Sequence, residues 1–181
     1  MIILAKNGKQ VLLRHIAGQD TGRLLWYLHG LSNDTKMRFG PHPFDEQSVV
    51  DFYNNTQTNT GYVAEDISTC NIVAYSIIKK GYLEHDSQRL QSYGMLLSHH
   101  HDCTFAPSVA DDWQSCGVGN ALFQFILSDL ASSEINRIIL WGGVQASNTR
   151  AVNYYYKHGF KKLGEFYYNG ENYDMSLTID G

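Results

Sequence analysis

A chain of 181 residues, 43% of them hydrophobic, is long enough to bury one core and short for two ordinary domains. With 14 Lys and Arg against 18 Asp and Glu, a formal charge of −4, it has no electrostatic grip on nucleic acid. No apolar run nears the roughly 20 residues of a membrane helix, and Met1-Ile2-Ile3-Leu4-Ala5-Lys6 is too short for a signal peptide, so the expected location is the cytoplasm, away from any membrane.

After a turn at Asn7-Gly8, Gln10 to Ile16 alternates as a first strand. Asp20 or Thr21 is placed to cap a helix whose buried stripe is Leu24, Leu25 and Leu28 and which Gly30 ends. In Arg38-Phe39-Gly40-Pro41-His42-Pro43-Phe44, two prolines and a glycine forbid regular structure. The aromatic rings of this rigid loop either line a substrate pocket or fill the core beneath a connection between helices. Asp45 to Asn54 reads as a second helix with Val49, Phe52 and Tyr53 inward, and a polar connection runs from Asn54 to Thr60.

The period then changes. Gly61 to Asp66 and Asn71 to Ile78 are apolar or β-branched runs joined by a polar turn, which predicts an antiparallel hairpin. Gly81 to Gly94 is polar, with a short helix over Ser87 to Ser92. His99-His100-His101 cannot all face one way on a strand or helix, which favours a solvated loop over a metal site; no metal is expected. Three cysteines, Cys70, Cys103 and Cys116, lack metal-ligand spacing and fit reduced thiols.

Thr104 to Val109 is a short strand in which Pro107 removes a ladder donor, implying a bulge, an edge or a local splay. Trp113-Gln114-Ser115-Cys116-Gly117-Val118-Gly119 then turns into a helix with the apolar stripe Val118, Leu122, Phe125, Ile126 and Leu130. Amides at a helix N-terminus and the positive end of its dipole suit an anion, and Gly117 and Gly119 let that backbone come close. The run is neither a P-loop, since Gly-Lys-Ser/Thr is missing, nor a dinucleotide fingerprint, since Gln114 stands where its first glycine would. Cys116 has no His or acid adjacent in sequence to act as its base, so a small turn residue is favoured over a catalytic thiol.

Ile138 to Trp141 is a continuous apolar run before Gly142-Gly143-Val144, as expected of a buried strand parallel to its neighbour across the preceding helix. Asn148 to His158 is a further helix, and Lys162 to Tyr168, the turn Asn169-Gly170, and Tyr173 to Ile179 form a closing hairpin. The order predicts a mixed α/β (α+β) fold around one largely antiparallel sheet, with a parallel pair in its middle, helices on both faces and no internal repeat.

The run Asn148-Thr149-Arg150-Ala151-Val152-Asn153-Tyr154-Tyr155-Tyr156-Lys157-His158-Gly159-Phe160 resembles the Asn-x-x-Ala-x-x-aromatic-Tyr-x-Lys-x-Gly-Phe signature of the GNAT superfamily of N-acetyltransferases. Gln114-x-x-Gly117-x-Gly119 resembles that family's Gln/Arg-x-x-Gly-x-Gly/Ala acetyl-CoA motif, and the two occur in the family's order. The specific residues lie between about Val109 and Phe160, and the N-terminal third matches in outline. The resemblance implies a single N-acetyltransferase domain over residues 1–181.

It also implies roles. Gln114, Ser115, Cys116, Gly117, Val118 and Gly119 would hold the CoA pyrophosphate, Val109 would pair its backbone with the pantetheine arm where two parallel strands splay, and Asn148 would fix the strand-to-helix connection beside the cofactor. Tyr155 would be the general acid that protonates the departing thiolate; Tyr154 and Tyr156 point about 100° to either side of it. A phenol with a pKa of about 10 starts protonated and suits that task.

The chain departs from the commoner family pattern in three places. Gln114 replaces a more frequent Arg, Asp111 stands where Pro is frequent, and Cys116 where Gly or a basic residue is frequent. No carboxylate lies in Thr104 to Val109 to serve as base; Asp102, His101, Glu65 and Glu84 are candidates, each favoured as a solvated residue, and none is assigned. The expected function is acetyl transfer from acetyl-CoA straight to a primary amine, a small molecule being favoured over a protein amine, with a homodimer left open. The alternatives are a non-catalytic acyl-CoA-binding module and transfer of a longer acyl group.

Overall fold

The computed structural model describes residues 1–54 and 58–179, so the middle of the polar connection expected between Asn54 and Thr60 lies outside the described residues. In chain order the elements are β1 (Ile2–Leu4), β2 (Gln10–His15), α1 (Thr21–Gly30), α2 (Asn33–Arg38), α3 (Glu46–Asn54), β3 (Asn59–Asp66) and β4 (Asn71–Lys80). They continue with α4 (Glu84–Ser92), β5 (Asp102–Val109), α5 (Val118–Leu130), β6 (Arg137–Leu140), β7 (Val144–Gln145), α6 (Thr149–Lys157), β8 (Lys161–Tyr167) and β9 (Glu171–Thr178). Two compact units result, Met1–Ile78 with Ala106–Ser132, and Lys79–Phe105 with Ser133–Gly181, so that β4 and β5 each run from one unit into the other.

In the first unit β1 to β4 lie in sequence order, β1 and β3 both antiparallel to β2. Val11 and Leu13 alternate inward from β2, and Tyr62, Val63 and Ala64 of β3 are buried beside them. Each such large side chain contributes about 1.5–3 kcal/mol of burial. Leu24, Tyr27 and Leu28 are the buried residues of α1, so Tyr27 takes the place expected for Leu25. The stripe of α5 centres on Leu122 and Ile126 and widens toward Phe123, which is 1% exposed. Phe125, expected in that stripe, instead sits at its rim against Tyr62 and His15, with ring centroids 6.1 Å and 5.9 Å away.

In the second unit β5 pairs with β6 in parallel from Asp102↔Arg137 to Phe105↔Leu140, as the apolar run Ile138 to Trp141 led us to expect. Antiparallel to β9 run β6, β7 and β8. Asn169 and Gly170 both have positive φ, 49° and 116°, in the three-residue tip between the paired Tyr167 and Glu171. Leu90 of α4 meets Met95 and Ile139 in a cluster flanked by Tyr82, Tyr93, Leu97 and Leu163.

The fold class is the expected one: mixed α/β with mostly antiparallel strand pairing and one parallel pair. Among the described residues, no helix is long and apolar enough to cross a membrane.

Candidate functional site

The run from Gln114 to Gly119, expected to bind an anion, belongs to the first unit, where β5 ends at Val109 and a short 3-10 turn, Asp111–Trp113, leads into it. The Ala110 amide donates to the Val73 carbonyl at 2.9 Å, fixing the end of β5 on β4. Asp111, which stands where the family often has Pro, accepts from the Ser32 amide and hydroxyl at 2.9 Å and 2.8 Å and from the Thr35 hydroxyl at 2.9 Å. These bonds, with its own turn amides, hold its carboxyl below the usual carboxylate range despite some burial.

Gln114 is extended, and its side-chain amide donates to the Val109 carbonyl at 3.3 Å, which brings two of the expected cofactor residues together. Ser115 then has φ 64° and Gly117 φ 87°, two left-handed residues either side of Cys116. Left-handed residues interleaved in a turn curl successive N–H groups toward one side, forming a concavity for anions. The first bond of the α5 ladder runs from the Ala121 amide to the Gly117 carbonyl at 3.1 Å, so Gly117 caps a helix of 13 residues.

A side chain on Gly117 would meet only the Lys6 stem, at 3.8 Å and 3.9 Å, so the turn is open where a ligand would approach. The Lys6 amide donates to the Cys116 carbonyl at 2.9 Å. Trp113 is buried beneath the Lys9 ammonium, 5.0 Å from the ring centroid. Open space, left-handed backbone and the N-terminus of a long helix fit the pyrophosphate of CoA.

Asn148 and Tyr155 belong to the second unit. Asn148 caps α6, its side-chain oxygen accepting from the Ala151 amide at 3.3 Å. Tyr155 is 8% exposed, with Phe160 and Tyr154 rings at 5.3 Å and 5.4 Å, and burial pushes its phenol pKa up. Tyr154 is raised too, by burial and by the neighbouring Tyr155. Tyr156 is 49% exposed, as the helical spacing from Tyr155 requires.

The four candidate bases all have partners. Asp102, expected to be solvated, is instead 1% exposed and clasped by Arg137, because it starts the parallel pair opposite that residue. The His101 ring meets the Glu134 carbonyl at 3.1 Å, Glu65 pairs with Arg14 at 2.6 Å and Arg23 at 3.1 Å, and Glu84 meets His99 at 3.0 Å. His99, His100 and His101 are exposed, and no group of three or more His, Cys, Asp or Glu among the described residues could hold a metal ion.

The rings of the Arg38–Phe44 loop turn inward. Phe39 and His42 are buried, and Phe39 meets Tyr75 edge-on at 5.8 Å. His42 Nε2 lies 3.1 Å from the Tyr75 hydroxyl and Nδ1 lies 2.8 Å from the Pro43 carbonyl. The Tyr75 hydroxyl also bonds the Tyr53 hydroxyl. No sequence signal joins these residues, because they come from a loop, β4 and α3 with no regular spacing.

Several solved structures are similar to this chain throughout. The GNAT domain of PAT from S. lividans aligns with a TM-score of 0.77 at 16% identity, covering 99% of this chain and 96% of its own. The structure of yncA from Salmonella typhimurium with its cofactor acetyl-CoA aligns with a TM-score of 0.70 at 14% identity, covering 94% and 95%. Spermidine N-acetyltransferase from Vibrio cholerae, in complex with CoA and spermine, aligns with a TM-score of 0.68 at 18% identity, covering 93% and 95%. No curated protein matches the chain. The family model described as "Acetyltransferase (GNAT) family" matches residues 28–160, which take in the Gln114 to Gly119 turn and the whole of α6, and the chain therefore belongs to the GNAT family of acetyltransferases.

Proposed function

We propose that residues 1–181 act as a single cytoplasmic N-acetyltransferase domain that moves the acetyl group of acetyl-CoA directly onto the primary amine of a small molecule. The observation that carries this is the turn into α5, where left-handed Ser115 and Gly117 open the backbone and Gln114 is tied to Val109. An amine acceptor is supported by the spermine bound in the Vibrio cholerae enzyme.

Acetyl-CoA supplies a thioester carbonyl that an amine can attack. Gln114, Ser115, Cys116, Gly117, Val118 and Gly119 hold its pyrophosphate, mainly through backbone amides, and Val109 offers its backbone to the pantetheine arm. Pro107, two residues before Val109 and without an amide hydrogen, suits a strand that leaves its neighbour. Asn148 fixes the start of α6. Tyr155 keeps its proton at neutral pH, because burial disfavours the phenolate, and holds it for the leaving sulfur. That role rests on its register within the Asn148 to Phe160 signature.

Purified protein, acetyl-CoA and a panel of small amines, read by release of free thiol, test the proposal. Turnover with at least one amine is expected; none from folded protein that binds CoA would turn the reading to the second one, a non-catalytic acyl-CoA-binding module. The engagement of Asp102, His101, Glu65 and Glu84 by other groups is what favours that alternative.

A further inference from the structure

We propose that Tyr53, Tyr75 and His42 form a proton relay that draws the proton from the acceptor ammonium, with His42 Nε2 as its terminus, an inference that rests on the acetyl-transfer reading. All three belong to the first unit. The direction of the chain follows from its partners. A carbonyl can only accept, so His42 Nδ1 carries the hydrogen that bonds Pro43. Burial favours the neutral imidazole, and Nε2 is then a lone pair that accepts from the Tyr75 hydroxyl. With its own hydrogen committed to Nε2, the Tyr75 oxygen accepts from the Tyr53 hydroxyl.

Every donor therefore points the same way, from Tyr53 to Tyr75 to His42. Tyr75 and His42 are buried, whereas Tyr53 is only partly so and stands at the donor end of the chain, its hydroxyl facing Gly61 of β3. The chain is also anchored to β5. The Tyr75 carbonyl accepts from the Ser108 hydroxyl at 3.1 Å, and Ser108 in turn accepts from the Tyr27 hydroxyl at 2.9 Å. Ser108 immediately precedes Val109, the residue proposed to face the pantetheine arm.

Proton transfer balances along this path. As the ammonium gives its proton to Tyr53 Oη, Tyr53 passes its own hydrogen to Tyr75 Oη and Tyr75 passes its own to His42 Nε2. Three bonds to hydrogen break and three form, the amine gains its lone pair, and the positive charge moves to the imidazole. Burial opposes that imidazolium, and the Pro43 carbonyl and the nearby Asp45 carboxylate offset part of the opposition. Among the described residues the titratable groups facing His42 are Asp45 in its own loop and Tyr75 on β4, which Tyr53 of α3 bonds in turn; the other rings packed on it are Phe52 at 4.9 Å and Phe44 at 6.1 Å.

The test compares acetylation by the parent, Tyr53→Phe and Tyr75→Phe across pH, with CoA affinity as the check on folding. At about pH 7 each variant should lose about tenfold or more in kcat, and the deficit should close toward about pH 10.4, where an alkylamine sheds its proton unaided. A deficit equal at every pH, or none, overturns the relay while leaving acetyl transfer standing. Nitrogen NMR of the unaltered protein should show neutral His42 with hydrogen on Nδ1; hydrogen on Nε2 overturns the relay without recourse to any variant. Failure of the parent to acetylate any amine overturns both proposals.

Discussion

Arg137 grips Asp102 through two bonds of 2.8 Å, Nε to Oδ1 and Nη2 to Oδ2, at the point where β5 and β6 begin their parallel pairing. The Ser98 amide donates to the same carboxylate at 2.7 Å, so a buried charge is fully matched by donors. Arg137→Met removes the cation and strands that carboxylate. The expected cost is about 3–5 kcal/mol, and pairing it with Asp102→Leu should recover much of it, because breaking one partner of a buried pair is worse than replacing both. Urea unfolding of the single and double variants measures this; equal losses in both would show that the pair is worth more than its apolar replacement.

Tyr155→Phe should lower kcat by about a hundredfold, the scale of losing a positioned proton donor, with CoA affinity unchanged. Tyr156→Phe should behave as the parent, since that side chain is half exposed on another face of α6. Steady-state kinetics beside CoA titrations decide; a larger loss in Tyr156→Phe than in Tyr155→Phe would move the donor to the neighbouring position.

Gly117→Ala places a side chain at φ 87°, where it meets nothing closer than the Lys6 stem at 3.8 Å. The penalty is therefore one of backbone conformation, about 1–2 kcal/mol for a left-handed L residue. CoA binding should weaken in the same variant, and Gly117→Asn should be milder because Asn tolerates this region. Thermal unfolding with and without CoA separates the two effects.

Burial lowers the His42 pKa from its ordinary 6.5. Between the two values the unfolded chain binds a proton that the folded one refuses, so stability is highest above 6.5 and falls as pH drops toward the folded value. His42→Gln should flatten that fall in unfolding experiments at graded pH. It should not abolish it, because His158 is lowered by burial and by Lys157 with the same sign. Parallel curves for parent and variant would exclude His42 as a contributor.

Elements with strong periodicity or a diagnostic turn were legible in the sequence. The stripe of α5, the parallel strand β6 and the Asn169-Gly170 hairpin follow from local patterns that burial or φ enforces. The helix α2 was not legible, because none of its six residues is buried, although Ser32 caps it locally by accepting from the Thr35 amide at 3.3 Å and is also held by Asp111, 79 positions away. The three-residue β1 was too short to show a period. Phe123 and Phe125 are separated by which neighbour each meets, which composition does not record. The turn into α5 and the start of α6 at Asn148 could be read as local structure because each is set by residues adjacent in sequence. The His42, Tyr75 and Tyr53 chain spans gaps of 33 and 22 residues, so only the fold reveals it.

Two exposed hairpin tips, Asn7-Gly8 and Asn169-Gly170, look equally permissive to added residues, since open space surrounds both glycines. They are not equivalent. The Asn169-Gly170 tip is closed by bonds made locally, from the Tyr168 amide and the Asn172 side chain to the Gly170 carbonyl, so extra residues there would stay outside the hairpin. Beside Asn7, the Lys6 amide holds the Cys116 carbonyl and Lys9 covers Trp113. Lengthening that first hairpin would pull directly on the turn into α5, which makes the less conspicuous of the two loops the poor choice for a peptide insertion or a circular permutation.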